Sequence, residues 1–364
     1  MWIENETLRA DLEAITGSSF IPWRELDGKT VLITGATGLI GSTLTNALLY
    51  YGLRSQNPPR VLALVRDEKK ASVLFASQLA ECAAHFELIV GDVCEPLETD
   101  KSIDYMIHAA SQTDSKEMVE HPVETIETAL RGTRNMLALA REKKVSSFVF
   151  LSSMEVYGSP TDGRPITESA GACFDSTAVR SSYPESKRMC EALCCAYAAE
   201  YGVRAKIIRL AQTLGPGVAN TDKRIYAQIM RSALNGSPIT LATKGDSERM
   251  YLYTMDAVAA VLCVLLRGET GCAYNAANKD SYCSIAQLAL LAAQTLSDPP
   301  VRVLIGEGDA NKYPPAHKLC LDTSRLEALG WRATRGLADM FIRMASASGK
   351  ICGNNKKVPS GGRQ

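Results

Sequence analysis

The chain lacks the features that mark several other classes of protein. Its 364 residues carry 40 Lys and Arg against 40 Asp and Glu, so there is no excess positive charge to attract nucleic acid or an anionic membrane. No apolar run reaches the roughly eighteen residues of a transmembrane helix. Residues 1–25 mix acidic and apolar side chains without a basic segment before an apolar one, so we do not expect them to be a signal peptide. Histidines number only four, and the eleven cysteines include no C-x-x-C pair. We therefore expect a cytoplasmic protein with free thiols, without nucleic-acid or membrane partners and without a metal.

The most informative segment that is present runs from Thr30 to Gly41, TVLITGATGLIG. A short apolar run leads into three glycines spaced three apart, Gly35, Gly38 and Gly41, and an amphipathic helix pattern follows. In such a strand–turn–helix unit the first glycine permits the turn, the second lets the backbone approach a pyrophosphate, and the third lets the helix pack on the strand. The helix N-terminus then offers free N–H groups to the phosphates. The segment predicts a dinucleotide site, and a tight connection without a ligand is the alternative.

Short apolar segments alternate with helical patterns along the chain, which predicts an α/β fold. We expect a Rossmann-like doubly wound parallel sheet, with the ligand at the carboxyl ends of the strands, and a smaller C-terminal substrate-binding lobe. The predicted division is an N-terminal helical extension (1–27), a dinucleotide-binding Rossmann domain (28–213), a mainly substrate-binding lobe with elements returning to the sheet (214–345) and a disordered tail (346–364). The predicted strands include 61–65, 86–90, 105–108, 147–151 and 204–210, and the predicted helices include 123–142, 183–201 and 252–266.

Two later segments supply candidate catalytic residues. Residues 150–158 (FLSSMEVYG) end a predicted strand, and residues 183–187 (YPESK) open a predicted helix. Tyr183 and Lys187, four apart, share a helix face, and an ammonium beside a phenol lowers the pKa of the phenol. Tyr183 can then take a proton from a sugar hydroxyl and return it, while Ser153 holds that hydroxyl by a hydrogen bond. Y-x-x-x-K alone is common on solvated helices, but its combination with the strand-end serines and the glycines is specific.

With these motifs the chain resembles the extended short-chain dehydrogenase/reductase family, and within it the nucleotide-sugar epimerases, dehydratases and decarboxylases. The resemblance covers residues 28–345 and includes the glycine turn, the strand-end serines and the Tyr183/Lys187 pair. It implies an NAD cofactor, a nucleotide-diphosphate sugar substrate, a transient 4-keto sugar and a homodimer built on helices 123–142 and 183–201. Further matching segments are Gly91-Asp92-Val93, His108-Ala109-Ala110, Gly132-Thr133, Gly215-Pro216 and Leu329-Gly330-Trp331.

The resemblance also implies roles for individual residues. The catalytic set would be Ser153, Tyr183 and Lys187, with Glu155 as a further candidate. The substrate would contact Gln212, Arg224 and Arg249, of which Arg249 would meet the diphosphate or the reacting sugar. The cofactor would contact Gly35, Thr37, Gly38, Leu39, Ile40, Gly41, Arg66, Asp92, Val93, Ala109, Ala110, Ser111, Tyr183 and Lys187.

The type of reaction depends on Glu155 and its neighbours. Sugar 4,6-dehydratases and UDP-glucuronate decarboxylases of the resembled family carry glutamate at this position, where a carboxylate can remove the C5 proton. Many dehydratases also place an aspartate at the position of Met154, and methionine cannot donate a proton. We therefore expect decarboxylation ahead of 4,6-dehydration, with 4-epimerisation as an alternative and a structural role for Glu155 as another. Ala129 and Gln212 both replace asparagines of the family pattern, so substrate placement is expected to differ from that in the best-known members.

The choice of dinucleotide depends on the end of the second strand, where Arg66 precedes Asp67. An acid there binds the ribose hydroxyls of NAD, whereas an arginine accommodates the 2′-phosphate of NADP. Because the resembled enzymes retain their cofactor, we expect NAD, with NADP possible. Two other classes fit the same residues: an NADP-dependent ketone or aldehyde reductase, and a dinucleotide-sensing binding protein, against which the intact catalytic set argues.

Overall fold

The computed structural model describes residues 3–306 and 316–349. The strands are β1 (Thr30–Thr34), β2 (Arg60–Val65), β3 (Phe86–Val90), β4 (Tyr105–His108), β5 (Ser147–Ser153), β6 (Ala205–Leu210), β7 (Gln212–Leu214), β8 (Ile239–Leu241), β9 (Glu248–Tyr253), β10 (Ala273–Ala276), β11 (Asn278–Ser284), β12 (Val303–Ile305) and β13 (Lys318–Leu319). The helices are α1 (Glu6–Thr16), α2 (Leu39–Gly52), α3 (Glu68–Leu74), α4 (Ala76–Glu81), α5 (Ser115–Glu120), α6 (Pro122–Glu142), α7 (Ser182–Tyr201), α8 (Ile225–Leu234), α9 (Thr254–Arg267), α10 (Ile285–Leu296), α11 (Ser324–Ala328) and α12 (Leu337–Ala347).

A parallel sheet of seven strands, in the order β3-β2-β1-β4-β5-β6-β10, forms the centre of the fold. The order reverses between β1 and β4, and such a switch point leaves a crevice at the carboxyl ends of the two strands. The glycine turn follows β1 and therefore lies at that crevice. The predicted α/β fold with a doubly wound parallel sheet is confirmed.

Helices cover both faces of this sheet, and the strands are buried accordingly. In β1, Val31 and Ile33 join one hydrophobic cluster and Leu32 joins the other; in β5, Val149 and Phe150 divide in the same way. This alternation follows from the period of two in a strand, and burial on both sides explains why these strands are apolar throughout. Helices α6 and α7 pack against each other, and α2 packs against α9.

The smaller lobe is built around β9, which pairs with β7, β11 and β13, while β8 pairs with β12. Strand β10 leaves this region and joins β6 at the edge of the central sheet, and α9 packs on β5 and β6. The expected helix at 252–266 begins only at Thr254, because Leu252 and Tyr253 complete β9.

The N-terminal helix α1 is attached to the main body by a buried carboxylate. Asp11 accepts a hydrogen bond from the hydroxyl of Tyr253 and another, at 2.7 Å, from Nη1 of Arg343 on α12. Burial raises the pKa of Asp11, against the hydrogen bond from Tyr253 and the charge of Arg343. Helix α12 continues to Ala347, so the predicted disordered tail is wrong for residues 346–347, and its residues 350–364 lie outside the described part of the chain.

Candidate active site

The turn after β1 has the backbone geometry that a dinucleotide requires. Gly35 adopts φ +65°, and a Cβ on it would lie 2.7 Å from the Ala110 nitrogen. A Cβ on Gly41 would lie 2.2 Å from the carbonyl oxygen of Gly35, so α2 packs on the turn at a distance that only glycine allows. A Cβ on Gly38 would meet only that same oxygen, at 3.3 Å, which leaves its other side open to a ligand. The three positions match the roles of turn, ligand approach and close packing.

Gly41→Ala is expected to weaken cofactor binding at least tenfold, because backbone atoms 2.2 Å from the new methyl group must move and the turn with them. The effect is measured by removing NAD from the protein and determining the affinity for added NAD by titration calorimetry. Gly171→Ala is the matched control, since a Cβ there would meet nothing within 4 Å. Equal NAD affinity in the two variants would contradict the assigned role of the turn.

The remaining cofactor candidates lie around this turn at the ends of β1 to β4. Arg66 directly follows β2 and is exposed, whereas the side chain of Asp67 caps α3 by accepting from Lys70 N–H at 2.9 Å. Asp92, exposed, follows β3, but Val93 is buried and packs against Gly132 of α6. Val93 is therefore placed to support the site from beneath. Thr37, Leu39 and Ile40, in the turn and the first turn of α2, are partly buried.

Ala109, Ala110 and Ser111 follow β4 and are partly exposed beside the turn. The N–H of Ala110 donates to Thr34 Oγ1 at 3.1 Å, and that hydroxyl also lies 2.7 Å from Nδ1 of His108. Burial, followed by the charge of Lys187, lowers the pKa of His108 to about 3, so this imidazole is neutral. Because His108 is neutral and hydrogen-bonded, it holds the carboxyl end of β4 in place, and this end forms one wall of the crevice.

The predicted catalytic side chains come together at the ends of β5 and α7. Ser153 is the last residue of β5, and its side chain acts on the phenol of Tyr183, in the first turn of α7, in the direction that lowers the pKa of that phenol. Lys187 lies one turn later, with Nζ 6.0 Å from the Tyr183 ring centroid and 4.6 Å from that of Phe150. Its Nζ donates to the carbonyl of Leu151 at 2.7 Å. A hydroxyl, a phenol and an ammonium thus share one buried cluster.

The prediction that Lys187 lowers the pKa of Tyr183 is wrong for this structure, where the pKa of the phenol is raised. Burial is the largest cause and the charge of Glu155 the second, and both exceed the opposing effects of Ser153, Arg180 and Arg224. Lys187 itself is buried, and burial lowers its pKa to about 8, so part of its charge is lost near neutral pH. Desolvation is therefore the largest effect on the pKa of both groups.

Lys187→Met is expected to raise the free energy of unfolding at pH 7 by about 2 kcal/mol, the desolvation cost less one lost hydrogen bond. The pKa of Lys187 is about 8 in the folded protein, against the ordinary lysine value of 10.5. The folded protein therefore bears the full cost of a buried charge below pH 8, and this cost disappears as the pH rises to 10.5. Urea denaturation at pH 7 and pH 10 measures the difference, and the gain should vanish at pH 10.

Lys206→Met is the control for this experiment. Lys206 is also buried, with a pKa lowered to about 8, and its Nζ donates to the Leu265 carbonyl at 2.7 Å. The Lys206→Met variant should become more stable at pH 7 in the same way and should keep its activity, whereas the Lys187→Met variant should lose activity. A Lys187 variant less stable than the wild type at pH 7 would refute the assigned desolvation cost.

Glu155 lies in the short helix after Ser153 and faces an arginine that sequence reasoning missed. Nη2 of Arg180 donates to Oε2 of Glu155 at 2.6 Å, and the two side chains are 39% and 38% exposed. Arg180 Cζ is also 5.9 Å from the Tyr183 ring centroid. Met154, by contrast, is buried in the core. The carboxylate of Glu155 and the guanidinium of Arg180 therefore both lie near the phenol, and position 154 holds no acid.

A buried network supports this cluster from below. Glu191, one turn after Lys187 on α7, accepts from Ser152 Oγ at 2.6 Å and from Nε and Nη2 of Arg209 at 2.9 and 2.6 Å. Arg209 Nη1 also donates to the Tyr157 hydroxyl at 2.8 Å, which in turn donates to Asn275 Oδ1 at 2.6 Å. The network joins β5, α7, β6 and β10, and every charge in it has a partner.

The three candidate substrate residues lie on β7, on β9 and directly before α8. Arg224 precedes α8 and is close enough to Tyr183 to affect its pKa, but its guanidinium is engaged by Asp222, with Nε 3.0 Å from both carboxylate oxygens. Gln212 opens β7 beside β9. Nη2 of Arg249 on β9 lies 3.0 Å from Nε2 of His317, and Nε of the same guanidinium is buried without a hydrogen-bond partner among the described residues.

The fold is that of a dinucleotide-binding α/β enzyme, and Ser153, Tyr183 and Lys187 are its candidate catalytic residues. A family model described as the NAD dependent epimerase/dehydratase family matches residues 31–277, and the chain belongs to that family. NAD is accordingly its cofactor. Within residues 3–306 and 316–349, no three His, Cys, Asp or Glu side chains are grouped to hold a metal ion. Over the same residues, every helix is too short or too polar to cross a bilayer.

Curated relatives and solved structures are similar to the chain over most of its length. UDP-glucuronic acid decarboxylase 1 of Xenopus tropicalis is 31% identical over 317 residues, which are 84% of this chain and 69% of that protein. UDP-glucuronic acid decarboxylase 6 of Arabidopsis thaliana is 31% identical over 304 residues, 83% of each chain. The structure of UDP-glucuronic acid 4-epimerase from Bacillus cereus with UDP-glucuronic acid and NAD has a TM-score of 0.73 at 19% identity, covering 88% of this chain and 100% of that one.

Proposed function

We propose that the protein is an NAD-dependent decarboxylase of a UDP-hexuronate, with UDP-glucuronate as its substrate. One observation favours this reaction over 4,6-dehydration: Glu155 borders the Tyr183 phenol while the neighbouring position holds the buried Met154. Expulsion of water needs an acid beside the leaving hydroxyl, whereas loss of carbon dioxide from a β-keto acid needs none. The similarity to UDP-glucuronic acid decarboxylases over 84% of the chain supports the same choice.

Each side chain of the cluster has a role in this proposal. NAD, which the turn of Gly35, Gly38 and Gly41 would hold, would supply reversible hydride transfer at C4 of the sugar. Tyr183 takes the proton of the C4 hydroxyl during oxidation and gives it back during reduction, with Ser153 orienting that hydroxyl by a hydrogen bond. Lys187, whose ammonium lies beside the phenol, disperses the negative charge that the phenol acquires.

The carbon chemistry takes place between these two steps. The bond between C5 and the carboxylate carbon breaks, and carbon dioxide leaves. The electron pair of that bond stays on the sugar and forms an enolate with the C4 carbonyl. A proton then adds at C5. Glu155, whose carboxyl group lies near the Tyr183 phenol, is the group that delivers this proton. Enolate protonation and ketone reduction together leave a UDP-pentose.

The test is incubation of the NAD-loaded protein with UDP-glucuronate and with UDP-, dTDP-, GDP- and CDP-hexoses, followed by mass spectrometry. The proposal requires loss of carbon dioxide from UDP-glucuronate and no change in mass of the neutral sugars. Loss of water from a hexose would indicate a dehydratase. An unchanged mass with an altered NMR spectrum would indicate a 4-epimerase.

We also propose a homodimer formed by α6 and α7. Exposed apolar side chains lie on these helices and on the neighbouring α5: Val123 (66% exposed) and Ile126 on α6, Met189 (54%) on α7 and Val119 on α5. A second copy of the chain would bury this surface in a four-helix arrangement. We also propose the domain limits 28–213 and 214–345. We further propose a reducing, cytoplasmic location, in which the ten described cysteines remain free.

Met189→Glu is expected to convert this dimer to a monomer, because a charge at the centre of an apolar interface is desolvated without a partner. Light scattering at micromolar concentration measures the mass. Leu290→Glu is the control, since Leu290 is equally exposed, at 51%, but lies on α10. A monomeric wild type, or a dimeric Met189→Glu variant, would exclude this interface.

A further inference from the structure

We propose that Arg180 binds the carboxylate of the sugar substrate and that Glu155 is the internal carboxylate with which the substrate competes. The inference rests on the proposed function, since it concerns how a uronate is distinguished from a neutral sugar. Arg180 lies three residues before Tyr183, in the short helix that leads into α7, and Glu155 lies two residues after Ser153. The ion pair therefore spans the two segments that contribute the catalytic groups.

The geometry of the sugar places the carboxylate of a bound hexuronate close to the Tyr183 phenol. The carboxylate of a hexuronate is attached to C5, and the hydroxyl that Tyr183 deprotonates is attached to the neighbouring C4. The group that binds the carboxylate must therefore lie beside the phenol. Arg180 Cζ is 5.9 Å from the Tyr183 ring centroid, and its charge acts on the phenol.

The hydrogen-bonding capacity of the arginines also distinguishes Arg180 from Arg209 and Arg224. Arg209 is occupied by Glu191, Tyr157 and the Glu168 carbonyl, and Arg224 is held by both carboxylate oxygens of Asp222. Among the described residues, the guanidinium of Arg180 has a single hydrogen-bond partner, Oε2 of Glu155. A guanidinium has five N–H donors, so Arg180 can form a bidentate pair with a second carboxylate.

The ion pair between Arg180 and Glu155 also predicts how a change of charge at Glu155 alters the affinity for a uronate. Its side chains are 39% and 38% exposed, so the ion pair is open to solvent and to a ligand. A uronate bound to Arg180 brings a second negative charge close to Glu155, and the two carboxylates repel each other. Removing the charge of Glu155 should therefore strengthen uronate binding, whereas removing the charge of Arg180 should weaken it. A pair that serves only to stabilise the fold would give neither effect.

The experiment measures binding in NAD-loaded protein carrying Tyr183→Phe, which blocks turnover. Titration calorimetry compares UDP-glucuronate with UDP-glucose, which has the same nucleotide and no carboxylate. Arg180→Gln should weaken UDP-glucuronate binding about 10- to 100-fold, the value of a charge-assisted bidentate pair, and leave UDP-glucose unchanged. Glu155→Gln should strengthen UDP-glucuronate binding about threefold and also leave UDP-glucose unchanged. Arg188→Gln, an exposed arginine of α7 whose Nε lies 3.7 Å from Glu185, is the matched control and should change neither affinity.

Equal loss of affinity for both nucleotide sugars, or no loss for either, would overturn the assignment of Arg180. If Arg180→Gln does not fold, Arg180→Lys replaces it: it keeps the charge but loses the bidentate geometry, and should weaken UDP-glucuronate binding by less. The proposed function is tested separately in the wild type. A wild type that decarboxylates UDP-glucuronate while Arg180→Gln binds it normally would refute only this inference, whereas a wild type inert toward UDP-glucuronate would refute the function.

Discussion

Tyr183→Phe is expected to lower kcat about 1000-fold while leaving the fold and NAD binding intact, because general acid–base catalysis typically contributes 10²- to 10⁴-fold. Phenylalanine removes the hydroxyl on which Ser153 acts and keeps the ring, whose centroid is 6.0 Å from Lys187 Nζ and 5.9 Å from Arg180 Cζ. The sugar hydroxyl then has no partner to take its proton. Release of carbon dioxide from UDP-glucuronate, followed under saturating substrate, measures the loss.

Tyr105→Phe is the control for this prediction. Tyr105 is buried at the amino end of β4, where its hydroxyl contacts the carbonyl of Glu25 at 3.4 Å, at the opposite end of the strand from the crevice. Its activity should equal that of the wild type. If the Tyr183 variant kept more than about a tenth of the activity, a different group would be the acid–base catalyst.

Glu191→Gln is expected to destabilise the protein by about 3–5 kcal/mol, the usual result of removing one partner of a buried ion pair. The side chains of Arg209 and Glu191 are 10% and 9% exposed, so water cannot replace the lost carboxylate. The amide can still accept from Ser152 but leaves the guanidinium charge uncompensated. Urea unfolding followed by circular dichroism measures the change.

Two further variants define the origin of that loss. Glu185→Gln lies on the same helix, but its pair with Arg188 is 3.7 Å long and about 40% exposed, so its effect should stay within about 0.5 kcal/mol. Replacing Glu191 and Arg209 together by methionine should recover most of the stability, because neither charge is then buried alone. A double variant as unstable as Glu191→Gln would show that packing, and not charge, is responsible.

The fold could be predicted largely from the sequence because its signals are local. The apolar run at 30–34 and the glycines that follow it determine strand, turn and helix within about a dozen residues, and the same period recurs along the chain. Where the prediction failed, the competing signal was tertiary. Leu252 and Tyr253 read as the start of a helix, but β9 is held in place by β7, β11 and β13, which are distant in sequence.

The site was only partly predictable, because some of its properties depend on burial and on contacts between distant segments. Ser153, Tyr183 and Lys187 follow a sequence pattern, and the structure brings them together. The sign of the pKa shift of Tyr183 depends on desolvation, which a spacing of four residues does not report. Arg180 was missed because its partner Glu155 is 25 residues away, although its position one helical turn before Tyr183 was a usable signal.

The attachment of α1 to α12 has a consequence for protein engineering. Asn5 Nδ2 donates to the carbonyl of Ala347 at 3.3 Å, so the start of α1 lies beside the end of α12. A linker of a few residues can therefore join them, and a circularly permuted protein can open instead at the exposed turn 235–237, where a Cβ on Gly236 would meet nothing within 4 Å. Deleting α1, in contrast, would leave the hydroxyl of Tyr253 and the guanidinium of Arg343 without their shared carboxylate.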